Sequence, residues 1–407
     1  MIINDLRDQY EDLSAEGFRV LAVAYRDFDP VKPAYATQDE DELVLVGYIA
    51  FLDPPKETAM PAIKALQGHG VTVKVLPGDN DLVSKKVCRE VGLAADDIIV
   101  GSKIEAMNDT ELADAAEKMT VFARLSPAHK QRIIQALQSR HHVVGFMGDG
   151  INDAPALRAA DVGISVDTAV DIAKESADMI LLEKSLMVLE EGVLEGRKVF
   201  ANILKYVRMG ASSNFGNMFS VLGASILLPF LPMIPLQILT NNLLYDFSQV
   251  PIPTDDVDPE QIAKPSPWSM NLIARFILFI GPCSSIFDYT TYAMMWFVFK
   301  CNTNSDANAS MFQTGWFVES LLTQTLIIHV IRTNKIPFIQ SRASWPLITT
   351  TLAIMTIGSL LPYSPIAGYL GFAPLPGLYW PLVMLTLFCY TVLTQLVKTW
   401  LVRKALI

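Results

Sequence analysis

The stretch GDGINDAP, residues 148–155, follows a short apolar run at 143–147 and sets Asp149 and Asp153 four residues apart on a glycine-containing turn. Mg²⁺ takes a few carboxylate oxygens and fills its other positions with water and phosphate. Glycines let backbone N–H groups close on phosphate oxygens. The turn therefore suits a Mg²⁺–phosphate site. It equally suits a plain strand-to-helix turn in which Asp153 caps a helix, and the residue types alone leave both open.

Working outward, β-branched runs at 43–52, 71–76, Ile98–Val100, Val121–Ala123, 143–147, Val162–Val166 and 179–182 alternate with amphipathic stretches. That alternation predicts an α/β domain over 43–184 around a mostly parallel sheet. Ligands in such sheets bind beyond the carboxyl ends of strands. A second acidic turn, VLPGDN, places Asp79 after the 71–76 run, and Lys130 follows Val121–Ala123 in RLSPAHKQR. A lysine there either neutralises a phosphate or is simply solvated. Residues 1–42 read as the tail of a preceding domain around the apolar run Phe18–Tyr25. Residues 185–208 read as an amphipathic stalk helix entering a membrane region at 209–407.

Charge separates the halves. Residues 1–205 carry 22 Lys and Arg against 34 Asp and Glu, whereas 206–407 carry 10 against 8, in a chain that is 51% hydrophobic and 18% charged. No polybasic run exists to displace phosphate counterions, so no nucleic-acid partner is expected. The four cysteines are far apart and suggest neither a disulfide framework nor a zinc site. Apolar stretches long enough to cross about 30 Å of hydrocarbon predict six transmembrane helices, at about 209–230, 233–252, 272–299, 313–331, 346–362 and 379–400. The second is interrupted by Asn241, Asn242, Asp246 and Gln249. Lys and Arg gather on one side, at Lys205, Arg208, Lys264, Arg275, Arg332, Lys335, Arg342, Lys398, Arg403 and Lys404. This predicts cytoplasmic termini. Residues 1–19 are charged and lack an apolar core, so no signal peptide is expected.

Polar groups inside hydrocarbon are costly and point to function. Asn214 and Asn217 share one helix face, as do Asn242 and Asp246. Two facing helices can present these oxygens to a hard cation, with Pro251 and Pro253 freeing backbone carbonyls nearby. Interhelical hydrogen bonding is the other use of such asparagines. Asp288, mid-span, reads as a relay, a pair partner or a lumen-facing group. Glu319 reads as lying near a helix end and snorkelling.

GDGINDAPAL at 148–157, LDPPKE at 52–57, SSNFGN at 212–217 and NLLYD at 242–246 resemble P-type cation-transporting ATPases. The wording is most similar to the bacterial magnesium-transporting subgroup. The resemblance covers essentially the whole chain and looks like the C-terminal half of such a pump: a haloacid-dehalogenase-like (Rossmann-like) phosphorylation domain followed by six membrane helices, in a bacterial inner membrane. It implies ATP and Mg²⁺ as cofactors, Mg²⁺ as transported ion, and membrane lipid as surroundings. By the same resemblance Asp149 helps hold catalytic Mg²⁺, supported by Asn152 and Asp153, and Lys130 binds phosphate. Gly78 and Asp79 fall in the family's Thr-Gly-Asp motif near the nucleotide, and Arg19 matches a nucleotide-contacting arginine. Asn214, Asn217, Asn242 and Asp246 occupy positions of cation ligands.

Two departures stand out. No Asp-Lys-Thr-Gly-Thr string, which carries the family's phosphorylated aspartate, occurs in the chain. The remaining domains would lie upstream, in an N-terminal half that is then an expected partner. Pro77 stands where the family has threonine, and offers neither a hydroxyl nor an N–H. The expectation is a pump part inactive by itself. A non-catalytic remnant, the partner half of a split pump, or a pump for another cation such as Ca²⁺ are the alternatives.

Overall fold

The computed structural model describes residues 2–28, 34–183, 185–303 and 305–404. Residues 1 and 29–33 of the expected 1–42 tail, Lys184 at the end of the expected 43–184 domain, and 304 and 405–407 of the expected membrane region lie outside the described residues. The chain divides into two compact units, Met1–Val193 and Leu194–Ile407.

In the first unit the apolar run Phe18–Tyr25 is a strand, paired antiparallel with Val44–Leu52 so that Phe18 faces Leu52. The sequence boundary at 42/43 thus falls between two paired strands. Beyond them the pairing is parallel, as βα alternation dictates. Ile98–Val100 lies beside Val121–Ala123, and Gly145–Met147, Val162–Val166 and Met179–Leu181 form a second set in that order. The expected 71–76 strand is only a bridge between Val75 and Val121. Leu125 N and Arg124 N prolong it by donating to the carbonyls of Pro77 and Asp79 at 3.2 and 2.8 Å, while Pro77 itself has no N–H for a ladder.

Side chains alternate across the Val121–Ala123 strand. Val121 packs with Cys88, Val91 and Leu93, whereas Phe122 packs with Ile104, Leu112 and Ile133. Helices therefore cover both faces. Their starts are held by local polar residues: Asn80 Oδ1 accepts from Val83 N at 2.8 Å, and Asn108 and Glu111 form a reciprocal box at 2.9 and 3.0 Å. Ser126 Oγ accepts from His129 N at 3.3 Å, one residue ahead of Pro127 in the first helical position. These caps fix where the loops at the carboxyl ends of the strands stop.

The second unit is helical. Among the described residues four helices are long and apolar enough to cross a membrane: Met270–Val298, Asp306–Ile331, Trp345–Tyr363 and Tyr379–Arg403. The other two of the six expected stretches, 209–230 and 233–252, do not reach that length and apolar content among the described residues. The helix Pro235–Gln249 has only 15 residues, and the serines and asparagines at 212–217 dilute the apolar content of the Met187–Leu227 helix. Asp306–Ile331 is the centre of the unit, with 94% of its most apolar stretch buried against 28–39% for the other three. It is buried on every side and its buried set includes Gln313, Glu319 and Gln324. Small residues permit close crossing elsewhere: a Cβ on Gly216 would lie 2.7 Å from the carbonyl oxygen of Gly281.

One end of this unit carries a buried ionic knot. Asp255 Oδ2 accepts from Lys205 Nζ at 2.7 Å and Arg332 Nε at 2.8 Å, while its Oδ1 accepts from Ser344 N at 3.0 Å. Asp258 accepts from Thr333 Oγ1 and, at 2.8 Å, from Ser341 Oγ. Burial alone would raise the Asp258 carboxyl. Those two hydrogen bonds, with Lys335 and Arg332 nearby, outweigh it and hold the group below its ordinary range.

Candidate functional site

Gly145–Met147 ends at Gly148, whose N–H donates to Ile164 O at 3.1 Å and whose carbonyl accepts from Ser165 Oγ at 2.9 Å. The neighbouring strand thus pins the start of the turn. A Cβ at Gly148 would meet Asp153 Cβ at 2.5 Å, so glycine is what allows the turn to fold back on Asp153. Asp153 is buried, and its carboxylate accepts from Lys130 Nζ at 2.7 Å and from Gly150 N at 3.1 Å. It makes no side-chain cap on the following Ala154–Ala159 helix. The carboxylate instead caps the short Ile151–Asp153 turn through Gly150 N and binds Lys130 with its other oxygen.

Lys130 lies on the Pro127–Ser139 helix, which follows Val121–Ala123. Its bond to Asp153 ties together the loops at the carboxyl ends of two strands from different parallel sets. Asp149 and Asn152 are exposed. Among the described residues no hydrogen bond or ion pair reaches the Asp149 carboxylate, whose backbone carbonyl accepts from Val170 N at 3.2 Å. A free carboxylate on a glycine turn, beside a buried ammonium, suits one Mg²⁺ that shares phosphate with Lys130. Asp153, already held by Lys130, is oriented to position that lysine. Among the described residues no group of three His, Cys, Asp or Glu side chains converges on a metal position.

Arg19 and Asp79 are neighbours, with Arg19 Nε 3.8 Å from Asp79 Oδ1 and 71% and 46% of the two side chains exposed. Arg124, adjacent to the Asp79 carbonyl, takes a left-handed φ of 53° and pairs with Asp81 at 2.8 Å. Gly78 lies 3.7 Å, measured to its would-be Cβ, from Leu125 O. These residues share the turn that follows the Val75 bridge.

The expected cation ligands separate. Asn214, Asn242 and Asp246 are exposed on the surface of the second unit, and Asn217 is half-buried, its Oδ1 accepting from Gln324 Nε2 at 3.3 Å. No hydrogen bond joins the four among the described residues. The buried polar groups are others. Asn241 is 3% exposed, its Nδ2 donating to Phe317 O at 3.3 Å while its Oδ1 has no partner. Glu319 is 0% exposed, with its carboxyl against that of Asp288. This corrects the snorkelling reading: the helix begins at Asp306, seven residues before the expected 313, so Glu319 is mid-helix. Asp288 is a pair partner, accepting from Trp316 Nε1 at 2.7 Å and Ser220 Oγ at 2.6 Å. The signal available in the sequence was a carboxylate and two glutamines, at 313, 319 and 324, within one apolar helix.

Known proteins bear on these arrangements. Residues 4–161 match the haloacid dehalogenase-like hydrolase family, and residues 230–400 match the family described as cation transporting ATPase, C-terminus. The chain is 57% identical over 404 residues to the protein named magnesium-transporting ATPase, P-type 1, of Escherichia coli K12, covering 99% of this chain and 45% of that protein. It is 59% identical over 394 residues to the protein of the same name in Salmonella typhimurium 14028s, covering 97% and 44%. A calcium-transporting ATPase of Bacillus subtilis is 34% identical over 237 residues, covering 58% of this chain and 27% of that protein. The chain thus spans less than half the length of these relatives. Its first unit is haloacid-dehalogenase-like, its second carries apolar helices of membrane length, and from end to end it corresponds to the C-terminal 45% or so of a bacterial Mg²⁺-transporting P-type ATPase.

Proposed function

We propose that this chain acts as the C-terminal part of an ATP-driven Mg²⁺ transporter of the bacterial inner membrane. The observation that carries this reading is the buried Lys130–Asp153 pair beside the unpartnered Asp149, in a chain 57% identical to a protein named for magnesium transport. Asp149 and Asn152 hold catalytic Mg²⁺ and phosphate, Lys130 binds the phosphoryl oxygens, and Asp153 keeps the ammonium aimed. Mg²⁺ bound there neutralises charge on the transferring phosphoryl group. Arg19, Gly78 and Asp79 contact ATP. Residues 1–42 close a nucleotide-binding domain, 43–184 form the phosphorylation domain, 185–208 the stalk, and 209–407 the membrane domain with cytoplasmic termini. In this reading 209–227 and 235–249 also enter the bilayer, giving six membrane helices with Asn214, Asn217, Asn242 and Asp246 serving the transported Mg²⁺.

An N-terminal portion is the partner this reading requires, since the chain lacks the phosphorylated-aspartate motif. Two features support such a partner. Gly145–Met147 is an edge strand, and the 71–76 segment is paired on the Val121 side. Leu76 and Val144 each pack against both adjoining cores, so these edges flank shared apolar residues and can accept an added strand. Exposed Asn214, Asn242 and Asp246 likewise need cover within a bilayer. The test is ATP hydrolysis by the purified chain alone and after joining it to the N-terminal portion of the Escherichia coli relative. The joined protein hydrolyses ATP and loses activity on Asp149→Asn. Hydrolysis by the chain alone, abolished by the same substitution, overturns the need for a partner.

A further inference from the structure

Two carboxyl groups meet inside the second unit. Asp288 lies on the Met270–Ala293 helix and Glu319 on Asp306–Ile331, both buried, with their carboxyls against one another. The two are unequally supplied with donors. Trp316 Nε1 donates to Asp288 Oδ1 at 2.7 Å and Ser220 Oγ to its Oδ2 at 2.6 Å. Among the described residues no other N–H or O–H reaches either oxygen of Glu319.

No cation compensates the pair among the described residues. The titratable groups that act on it are the phenols of Tyr292, on the Met270–Ala293 helix, and of Tyr379 and Tyr390, on Tyr379–Arg403. Tyr289, Cys283 and Tyr245 lie behind these phenols, and the Met187–Leu227 helix presents the Ser220 hydroxyl. Tyr292 is four residues on from Asp288 and so shares its helix face. Its ring packs edge-on to Trp316 at 5.1 Å, it is 7% exposed, and its hydroxyl has no partner.

We propose that Glu319 holds a proton and donates it to Asp288, which makes the pair a proton-binding site in the core of the helical unit. Two carboxylates in contact cannot both ionise cheaply, and a buried charge without donors is costly. Asp288, with a donor on each oxygen, is the member that keeps the charge. Glu319, with none, is the member that stays neutral, and its own O–H becomes the third donor to Asp288. The idle Tyr292 hydroxyl is the donor in reach when the proton leaves. Release puts two negative charges in the helical core, so water or a cation has to take the proton's place.

The test is infrared difference spectroscopy on the 407-residue chain in neutral detergent, which separates the C=O stretch of an un-ionised carboxylic acid from the carboxylate bands. Exposed Asp and Glu are ionised at neutral pH, so a band that remains there and shifts in D2O marks a buried acid. Wild type shows the band, Glu319→Gln lacks it, and Asp288→Asn keeps it at a changed frequency because the acceptor of the O–H is altered. In Tyr292→Phe the band persists to higher pH, since the ionised pair has lost a donor; an unchanged span overturns the part given to Tyr292. No band in wild type, its survival in Glu319→Gln, or its loss in a folded Asp288→Asn overturns the proposal. Chemical unfolding gives a second reading. The unfolded chain releases the Glu319 proton above about pH 4 while the folded chain keeps it, so stability falls as pH rises. Relative to Glu319→Gln, the wild-type unfolding constant should rise about tenfold per pH unit between about pH 5 and 7. A constant ratio over that range also overturns the proposal. Neither readout needs ATP or transport, so both stand or fall separately from the proposed function.

Discussion

The Lys130 ammonium lies 2.7 Å from Oδ1 of Asp153, with 13% and 12% of the two side chains exposed. A pair this buried is costly to break from one side, because the surviving charge keeps its desolvation penalty and loses its partner. Lys130→Met is expected to destabilise the chain by about 3 kcal/mol, read as a lower midpoint in urea unfolding followed by limited proteolysis. Lys130→Arg, which retains charge in a different shape, should recover most of that stability and little of the ATP hydrolysis of the joined protein. Equal midpoints for wild type and Lys130→Met would show that the pair contributes nothing.

Asp255 answers two cations with one oxygen and orders the Ser344 N–H with the other. Asp255→Asn keeps the shape and removes the charge, leaving Lys205 and Arg332 buried against each other. A loss of about 3–5 kcal/mol is expected, measured as a fall in thermal midpoint in detergent. Lys205→Met should cost less, since Arg332 remains to pair with the carboxylate.

Asp258 supplies a pH dependence with a definite sign. Its folded pKa lies below its ordinary value. The stabilisation is therefore complete above the unfolded carboxylate pKa and is lost as pH falls through the folded one. As pH falls below the unfolded carboxylate value of about 4, the stability gap between wild type and Asp258→Asn should narrow. A gap that widens with acid would reverse the assignment.

Glu319 is wholly buried, with its carboxyl against that of Asp288. Two carboxyls buried together cannot both ionise cheaply, so Glu319→Gln, which removes one acid and keeps a hydrogen-bonding group, should leave the thermal midpoint of the metal-free chain unchanged or higher. If Glu319 serves the transported ion, millimolar Mg²⁺ raises the wild-type midpoint and leaves Glu319→Gln unmoved. A parallel rise in both proteins separates Glu319 from cation binding.

Gly216 tests the close helix crossing. Its would-be Cβ meets the Gly281 carbonyl at 2.7 Å and also Ser284 Oγ, and the carbonyl cannot swing aside as a side chain can. Gly216→Ala should cost about 1–3 kcal/mol by overpacking, seen as a lower thermal midpoint. Gly210→Ala, where a Cβ meets nothing within 4 Å, is the matched control on the same helix.

Local chemistry is what the sequence determined unaided. Glycines and acids at 148–153, the proline and helix-start residues around Asn80 and Ser126, and the βα alternation specify turns, caps and parallel strands through contacts a few residues apart. The resemblance at 148–157 and 212–217 also marked the relatives correctly. Long-range relations were decided by the tertiary structure. Whether Asp153 capped a helix or met a lysine 23 residues away, whether Val44–Leu52 joined the parallel sheets or paired with Phe18–Tyr25, and whether Glu319 reached solvent all depend on which elements pack together. Period and spacing place a residue on a face of its own element; only the neighbours covering that face decide whether it is buried. For Glu319 the surrounding helices cover every side, and for Asn242 and Asp246 none of the described residues covers the face they share.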